Sequence, residues 1–213
     1  MSENCWFTSD EHFGHDNIIK FCNRPFKDTS EMREALIKNH NSVVRNGDRV
    51  YHLGDMFWNT VTENEALAIL HRLNGQHFYI MGNHEKIIKQ SKPVRDFFVW
   101  VRDVDNLQVK GYPNIWLSHF AHRVWNGSHK RAFHLYGHTH NDMPEDGSLS
   151  FDVGVDAQHF YPISLNSVYN KMERIAEHFK GKQFVCKKCD NKFVPFHNRP
   201  TICSKCGEKM ELK

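Results

Sequence analysis

The sequence predicts an α/β protein: a mixed body over residues 1–180 and a small metal-stapled appendage over residues 183–213. Three observations predict it. Short aromatic or β-branched runs, too short for helices, recur along the body. Stretches with apolar residues at helical spacing lie between them. Two Cys-x2-Cys pairs close the chain. The 213 residues are 39% hydrophobic with 16 Phe, a size and composition that make a globular core stable without disulfides. No apolar run approaches the ~20 residues of a membrane helix. Met1-Ser2-Glu3-Asn4 opens neither a basic nor a long apolar leader segment, so a cytoplasmic location is expected.

The strand candidates are Cys5-Trp6-Phe7, Val50-Tyr51-His52-Leu53, Phe78-Tyr79-Ile80-Met81, Ile115-Trp116-Leu117 and Phe133-His134-Leu135-Tyr136. Asp28 with Glu31 reads as an N-cap and its reciprocal partner, opening a helix through Met32, Leu36, Ile37 and Val43. Thr62 with Glu65 does the same for Leu67, Ile69, Leu70 and Leu73, with Asn74-Gly75 as the stop. A shorter helix carries Ile18, Ile19 and Phe21. Lys110-Gly111-Tyr112-Pro113-Asn114 is a turn between two strands, so part of the sheet is antiparallel. A last body helix follows Pro162 through Leu165, Val168, Met172, Ile175 and Phe179, and Lys180-Gly181-Lys182 reads as a linker.

Charge and cysteine usage divide the chain in the same place. Residues 180–213 hold nine Lys or Arg and three Asp or Glu, a charge of +6. The whole chain is +3, which leaves −3 on the body. A basic tail fits a polyanionic partner such as nucleic acid, and equally a solvated surface. Cys186-x2-Cys189 and Cys203-x2-Cys206, 13 residues apart, have the spacing of four thiolate ligands of one zinc ion, a closed structural site. The pattern resembles a zinc ribbon. Phe193-Val194-Pro195-Phe196 between the pairs is too small a core to fold unaided, so metal binding supplies the folding energy. Cys5 and Cys22 are expected as buried thiols.

Each strand candidate ends beside a polar group that binds metals. The first leads to Asp10 and His12, the second to Asp55, the third to Asn83 and His84, the fourth to His119, and the fifth to His138 and His140. Strand ends in open sheets converge on a ligand crevice. His138 and His140 flank one residue, which in an extended segment turns both to one face and suits shared ligation of neighbouring ions. Taken singly these are common dipeptides. Taken in order, Asp10-x-His12, Gly54-Asp55, Gly82-Asn83-His84-Glu85, His119 and Gly137-His138-Thr139-His140 resemble the calcineurin-like metallophosphoesterase superfamily. The stretch Trp6–Ile19 with Arg24-Pro25-Phe26 is similar to a bacterial and phage branch of it.

The resemblance implies two packed mixed sheets flanked by helices, with the site at the strand ends. It implies one ion held by Asp10, His12 and His140, another by Asn83, His119 and His138, and Asp55 bridging the two. His84 would stand over the substrate as proton donor or charge stabiliser, tuned by Glu85 or Asp55. The implied activity is phosphate-ester hydrolysis by a hydroxide shared between two divalent ions, on monoesters or diesters, nucleotides among them. Imidazole ligands favour Mn, Fe, Zn or Ni over magnesium or calcium. Protein Ser/Thr phosphatases share Gly-Asn-His-Glu but carry an Arg after Gly-Asp, where this chain has Met56-Phe57-Trp58-Asn59.

Further positions are offered as substrate contacts. His15, Asn17 and Arg24 follow the first motif, with helix capping or plain surface as the alternative. His122, Arg123, His129 and Lys130 lie where a substrate loop falls. Asp152 and Asp156 read as turn residues, or as partners that orient a ligand His. Two other functions compete: a nuclease directed to nucleic acid by the basic ribbon, and a non-catalytic binding module, whose mark would be missing ligands. The sequence is silent on oligomeric state.

Overall fold

The computed structural model describes residues 4–143, 147–180, 184–189, 192–193, 206, 208 and 210–212. Two sheets form the body. The first runs β4 (Val101–Arg102), β3 (Gln76–Ile80), β2 (Arg49–His52), β1 (Cys5–Thr8) and β9 (Ile163–Ser164). Its pairs are parallel except β1 with β9. The second runs β5 (Val104–Leu107), β6 (Ile115–Ser118), β7 (Phe133–Tyr136) and β8 (Ser150–Asp152), with β5–β6 antiparallel and the rest parallel. The two-sheet sandwich flanked by helices is therefore the architecture observed, and all five strand candidates are strands.

Side-chain alternation builds two apolar layers. Phe7, Tyr51, Phe78 and Ile80 of the first sheet meet Ile115, Leu117, Phe133, Leu135 and Phe151 of the second, with Val168, Met172 and Ile175 of α6 (Leu165–Phe179) in the same core. Tyr79, pointing the other way, packs with helices α1 (Asp16–Phe21), α2 (Thr29–Val43), α3 (Glu63–Leu70), α4 (Lys86–Gln90) and α5 (Lys92–Phe97). Sheet on sheet on one face and helices on the other leave the strand ends as the open rim.

The helix ends depart from expectation in two places. Thr62 and Glu65 form the reciprocal cap at α3, but α3 stops at Leu70 rather than running to Asn74, because Leu73 is drawn into a turn ahead of Gly75 at φ +118. At α2, Asp28 accepts from Glu31 N at 2.8 Å, while the Glu31 carboxylate reaches Lys27 N, one residue before the cap, at 2.8 Å. Cys5 is buried, whereas Cys22 is only half-buried.

A polar chain lies inside the helical layer. Glu11 Oε1 is 3.0 Å from His52 Nδ1, and His52 Nε2 is 2.9 Å from His77 Nδ1; the His40 ring stacks on His77 at 5.7 Å. Burial drives His52 down to about 3, His77 to about 2 and His40 to about 4, and drives the Glu11 carboxyl up to about 7. An unfolded chain takes up protons on these imidazoles below the ordinary value of 6.5, so their stabilisation is lost as pH falls from there. Glu11 opposes them: its neutral form favours the fold below 4.5, an effect lost as pH rises towards 7. Three imidazoles outweigh one carboxyl between those limits. Urea unfolding in excess chelator should therefore show a lower midpoint at about pH 5 than at about pH 7. Equal midpoints would contradict the buried neutral imidazoles.

Candidate metal centre

The loops after β1, β2, β3, β6, β7 and β8 meet at one rim. Backbone bonds stitch them: Asp10 N to Gly54 O at 3.0 Å, His12 N to Asp55 O at 3.1 Å, Gly137 N to His119 O at 2.9 Å and Val155 N to Ser9 O at 2.9 Å. Ser9 bridges to Gly154, joining the ends of β1 and β8. Gly54, at φ +97, passes so close to His119 that a Cβ would lie 2.6 Å from its Nδ1.

Two triplets of donor atoms result. Asp10, His12 and His140 form one, and Asp55, His119 and His138 the other, each with its atoms within 4.8 Å of one another. Each carboxylate has one oxygen pinned by a main-chain N–H and one turned inward. Asp10 Oδ2 accepts from His138 N and Asp55 Oδ1 from His84 N, both at 2.8 Å. Asp55 Oδ2 stands between the triplets, 3.5 Å from His119 Nε2 and 3.9 Å from His12 Nε2. The imidazoles are oriented likewise: His119 Nδ1 bonds Leu53 O at 2.7 Å and His140 Nδ1 bonds Asp156 at 2.7 Å, so each presents Nε2 to the rim.

The donor set fits divalent cations. Asp10 Oδ1 and both ring nitrogens of His12 are buried with no hydrogen-bond partner. His119 Nε2 faces Asn83 Oδ1 at 2.9 Å and Asp55 Oδ2, so acceptors converge on a place that a proton or a metal ion must fill. Burial pushes the Asp10 carboxyl up to about 7 and the His12 imidazole down to about 2. Burial also works against charged His119, yet bonding to Asp55 and the charges of Asp10 and Asp55 lift it to about 9.

Five of these residues hold left-handed backbone: Asp10 (φ 59), His12 (52), Asp55 (56), His138 (67) and His140 (48). For residues with a Cβ this costs roughly 1–3 kcal/mol each and concentrates at functional sites. It also corrects the expected geometry of the last motif. His138 and His140 are not on an extended segment facing one way; the chain turns at each, and they enter different triplets.

The surroundings revise several expectations. Arg24, expected at the substrate or on the surface, is buried and tied to Asp156 and to main-chain oxygens of the first loop. His122 accepts from Trp116 Nε1 at 2.9 Å, with its ring beside His134. His15 is buried, stacked on Trp58 with ring centres 3.6 Å apart, and its side chain makes no cap bond to α1. Asn17 is exposed at the start of α1, and Arg123, His129 and Lys130 are exposed in the β6–β7 connection. The Glu85 carboxylate accepts from Asp55 N at 2.8 Å, Gly82 N at 2.7 Å and Tyr79, locking two loops together. Asp152 accepts from Thr139, Asn141 N and Gly154 N, and so shapes the last motif. Trp58, unassigned by sequence, packs between His15 and His84, 4.7 Å from the latter.

In the tail, β10 (Phe184–Cys186), β11 (Lys192–Phe193) and β12 (Met210–Leu212) form a small sheet. Cys186, Cys189 and Cys206 bring their sulfurs within 4.8 Å of one another. Cys186 and Cys206 sulfurs are 3.4 Å apart, beyond the ~2.05 Å of a disulfide. Cys203, Lys182 and the segment Val194-Pro195-Phe196 lie outside the described residues. No helix among the described residues is long and apolar enough to cross a membrane.

No family model matches the sequence. The chain is 32% identical over 174 residues to MJ1445, an uncharacterised protein of Methanocaldococcus jannaschii, covering 79% of this chain and 91% of that protein. The chain belongs to the MJ1445 family. It is also 26% identical over 201 residues to the gene 66 protein of Mycobacterium phage L5, covering 82% of this chain and 96% of the phage protein. Among solved structures, the protein of unknown function AQ665 from Aquifex aeolicus superposes with TM-score 0.63 at 24% identity, over 79% of this chain and 98% of its own. That overlap shows that this MJ1445-family chain shares its fold with AQ665.

Proposed function

We propose that this MJ1445-family chain is a metal-dependent phosphoesterase. Asp10, His12 and His140 would hold one divalent transition-metal ion, Asn83, His119 and His138 a second, and Asp55 would serve both. One observation carries the reading: Asp55 Oδ2 lies between His12 and His119, nitrogens of two separate triplets. Bound there, a metal pair supplies Lewis acidity and a nucleophile at neutral pH.

The protein's own part is positioning and proton handling. Main-chain N–H groups fix one oxygen of each carboxylate, so the other holds its direction without rearrangement. His84 is half-buried on the rim; its main-chain N is bound to Asp55 and its ring lies against Trp58, 5.7 Å from the His12 ring. From there it gives a proton to the leaving oxygen of a phosphoester, or as imidazolium offsets phosphoryl charge. In the tail, Cys186, Cys189 and Cys206, with Cys203 as the fourth thiolate, would hold a structural zinc in a separate domain spanning residues 183–213.

Hydrolysis of p-nitrophenyl mono- and diesters, cyclic nucleotides and oligonucleotides in added Mn²⁺ tests the reading; no hydrolysis of any of them by metal-loaded protein would overturn it. The tail charge of +6 favours a second reading within the class, cleavage of nucleic acid. It requires that removing residues 183–213 weaken oligonucleotide binding in a salt-dependent way.

A further inference from the structure

One buried guanidinium underlies the whole first triplet. Arg24 reaches four oxygen atoms: Nε and Nη2 take Asp156 Oδ1 and Oδ2 at 2.8 and 2.7 Å, Nη1 takes Glu11 O at 2.9 Å, and Nη2 also takes Asp10 O at 2.8 Å. Asp156 Oδ2, gripped by that fork, accepts from His140 Nδ1 at 2.7 Å. Arg24 therefore fastens the strained Asp10–His12 loop from beneath and, through Asp156, sets the ring of His140, which comes from the other sheet. Among the described residues the second triplet has anchors of its own: Leu53 O on His119, the His84 main-chain N on Asp55 Oδ1, and Glu85 on Asp55 N.

We infer that Arg24 and Asp156 are positioning residues for the ion of Asp10, His12 and His140 alone, so that the two ion sites are separable by mutation outside the ligand set. The inference rests on the dinuclear reading above. The geometry gives each member a distinct task. A planar guanidinium serves a carboxylate and two carbonyls at once, which a lysine ammonium on a flexible stem does not reproduce. An Asp156 carboxylate held by Arg24 keeps His140 in the tautomer that offers Nε2 to the rim. The same charge disqualifies Cys22, His140 and Asp156, though mutually close, as a cation site of their own: Arg24 already occupies both Asp156 oxygens.

The test is Mn²⁺ binding to the full-length protein and to Asp156→Asn, followed by calorimetry and by the electron paramagnetic resonance signal of a coupled ion pair. Arg24→Lys serves as the second variant. The expected result is two ions in the wild type, and in Asp156→Asn one ion at unchanged affinity and the other weakened about 10–100-fold. The coupled-pair signal should give way to that of an isolated ion at limiting Mn²⁺. Retention of both ions at wild-type affinity in both variants would overturn the proposal while leaving the dinuclear site standing. Equal weakening of both ions would overturn it too, showing a merely structural bolt. A wild type that binds no ion pair would instead remove the reading on which it rests.

Discussion

Asp55→Asn protein should emerge folded and nearly inert, with its metal content reduced along with its activity. The amide keeps an oxygen for the His84 N–H, now accepted at 2.8 Å, so the loop is retained. What disappears is the negative charge between His12 and His119. Two dications close together repel strongly in a site of low dielectric, and a neutral amide offsets none of that repulsion. The rate should fall on the order of 10³-fold, about 4 kcal/mol of barrier. Elemental analysis after gel filtration should show less than the wild-type metal content. Wild-type metal content with full turnover would end the bridging assignment.

His84→Ala should behave in the opposite way. Its ring lies against Trp58, and its main-chain N, which binds Asp55, survives the substitution. Metal stoichiometry should be unchanged. Turnover should drop roughly 10²–10⁴-fold, the usual worth of a placed proton donor. The drop should be smaller for substrates with an acidic leaving group such as p-nitrophenol, because they need less help in departure. An equal loss for alkyl and aryl esters would assign His84 to charge stabilisation, and no loss would remove it from the chemistry.

The strands were legible because each is an aromatic or β-branched run buried in the sandwich, and the cap residues at Asp28 and Thr62 announced the two central helices. The helix α6 was legible too, from its apolar spacing, and the body elements that went unmarked are short. β9 is two residues and owes its existence to pairing with Trp6 and Phe7, a partner more than 150 positions away. α5 carried a readable signal, Ser91 capping Val94 N with a proline in the first turn. At the rim, the donor residues could be picked out because each directly follows a strand. Of their supports, Asp156 was named only as one of two alternatives, and the partners of the others were hidden. Arg24 with Asp156, and Glu85 with Asp55, are pairings made by the fold across 132 and 30 positions, with no local pattern to mark them. Glu11 sat inside the first motif, yet nothing in the sequence sends it inward to His52.

Both triplets draw from both sheets. Asp10, His12, Asp55 and Asn83 follow strands of the first sheet, while His119, His138 and His140 follow strands of the second. On the reading proposed here, each ion is thus a rivet across the seam of the sandwich. Ligation would be coupled to cohesion of the whole molecule, adding about 2.7 kcal/mol at a free-ion concentration near a hundred times the dissociation constant. Scarcity of transition metal would then loosen the two halves from each other before it merely slowed a reaction.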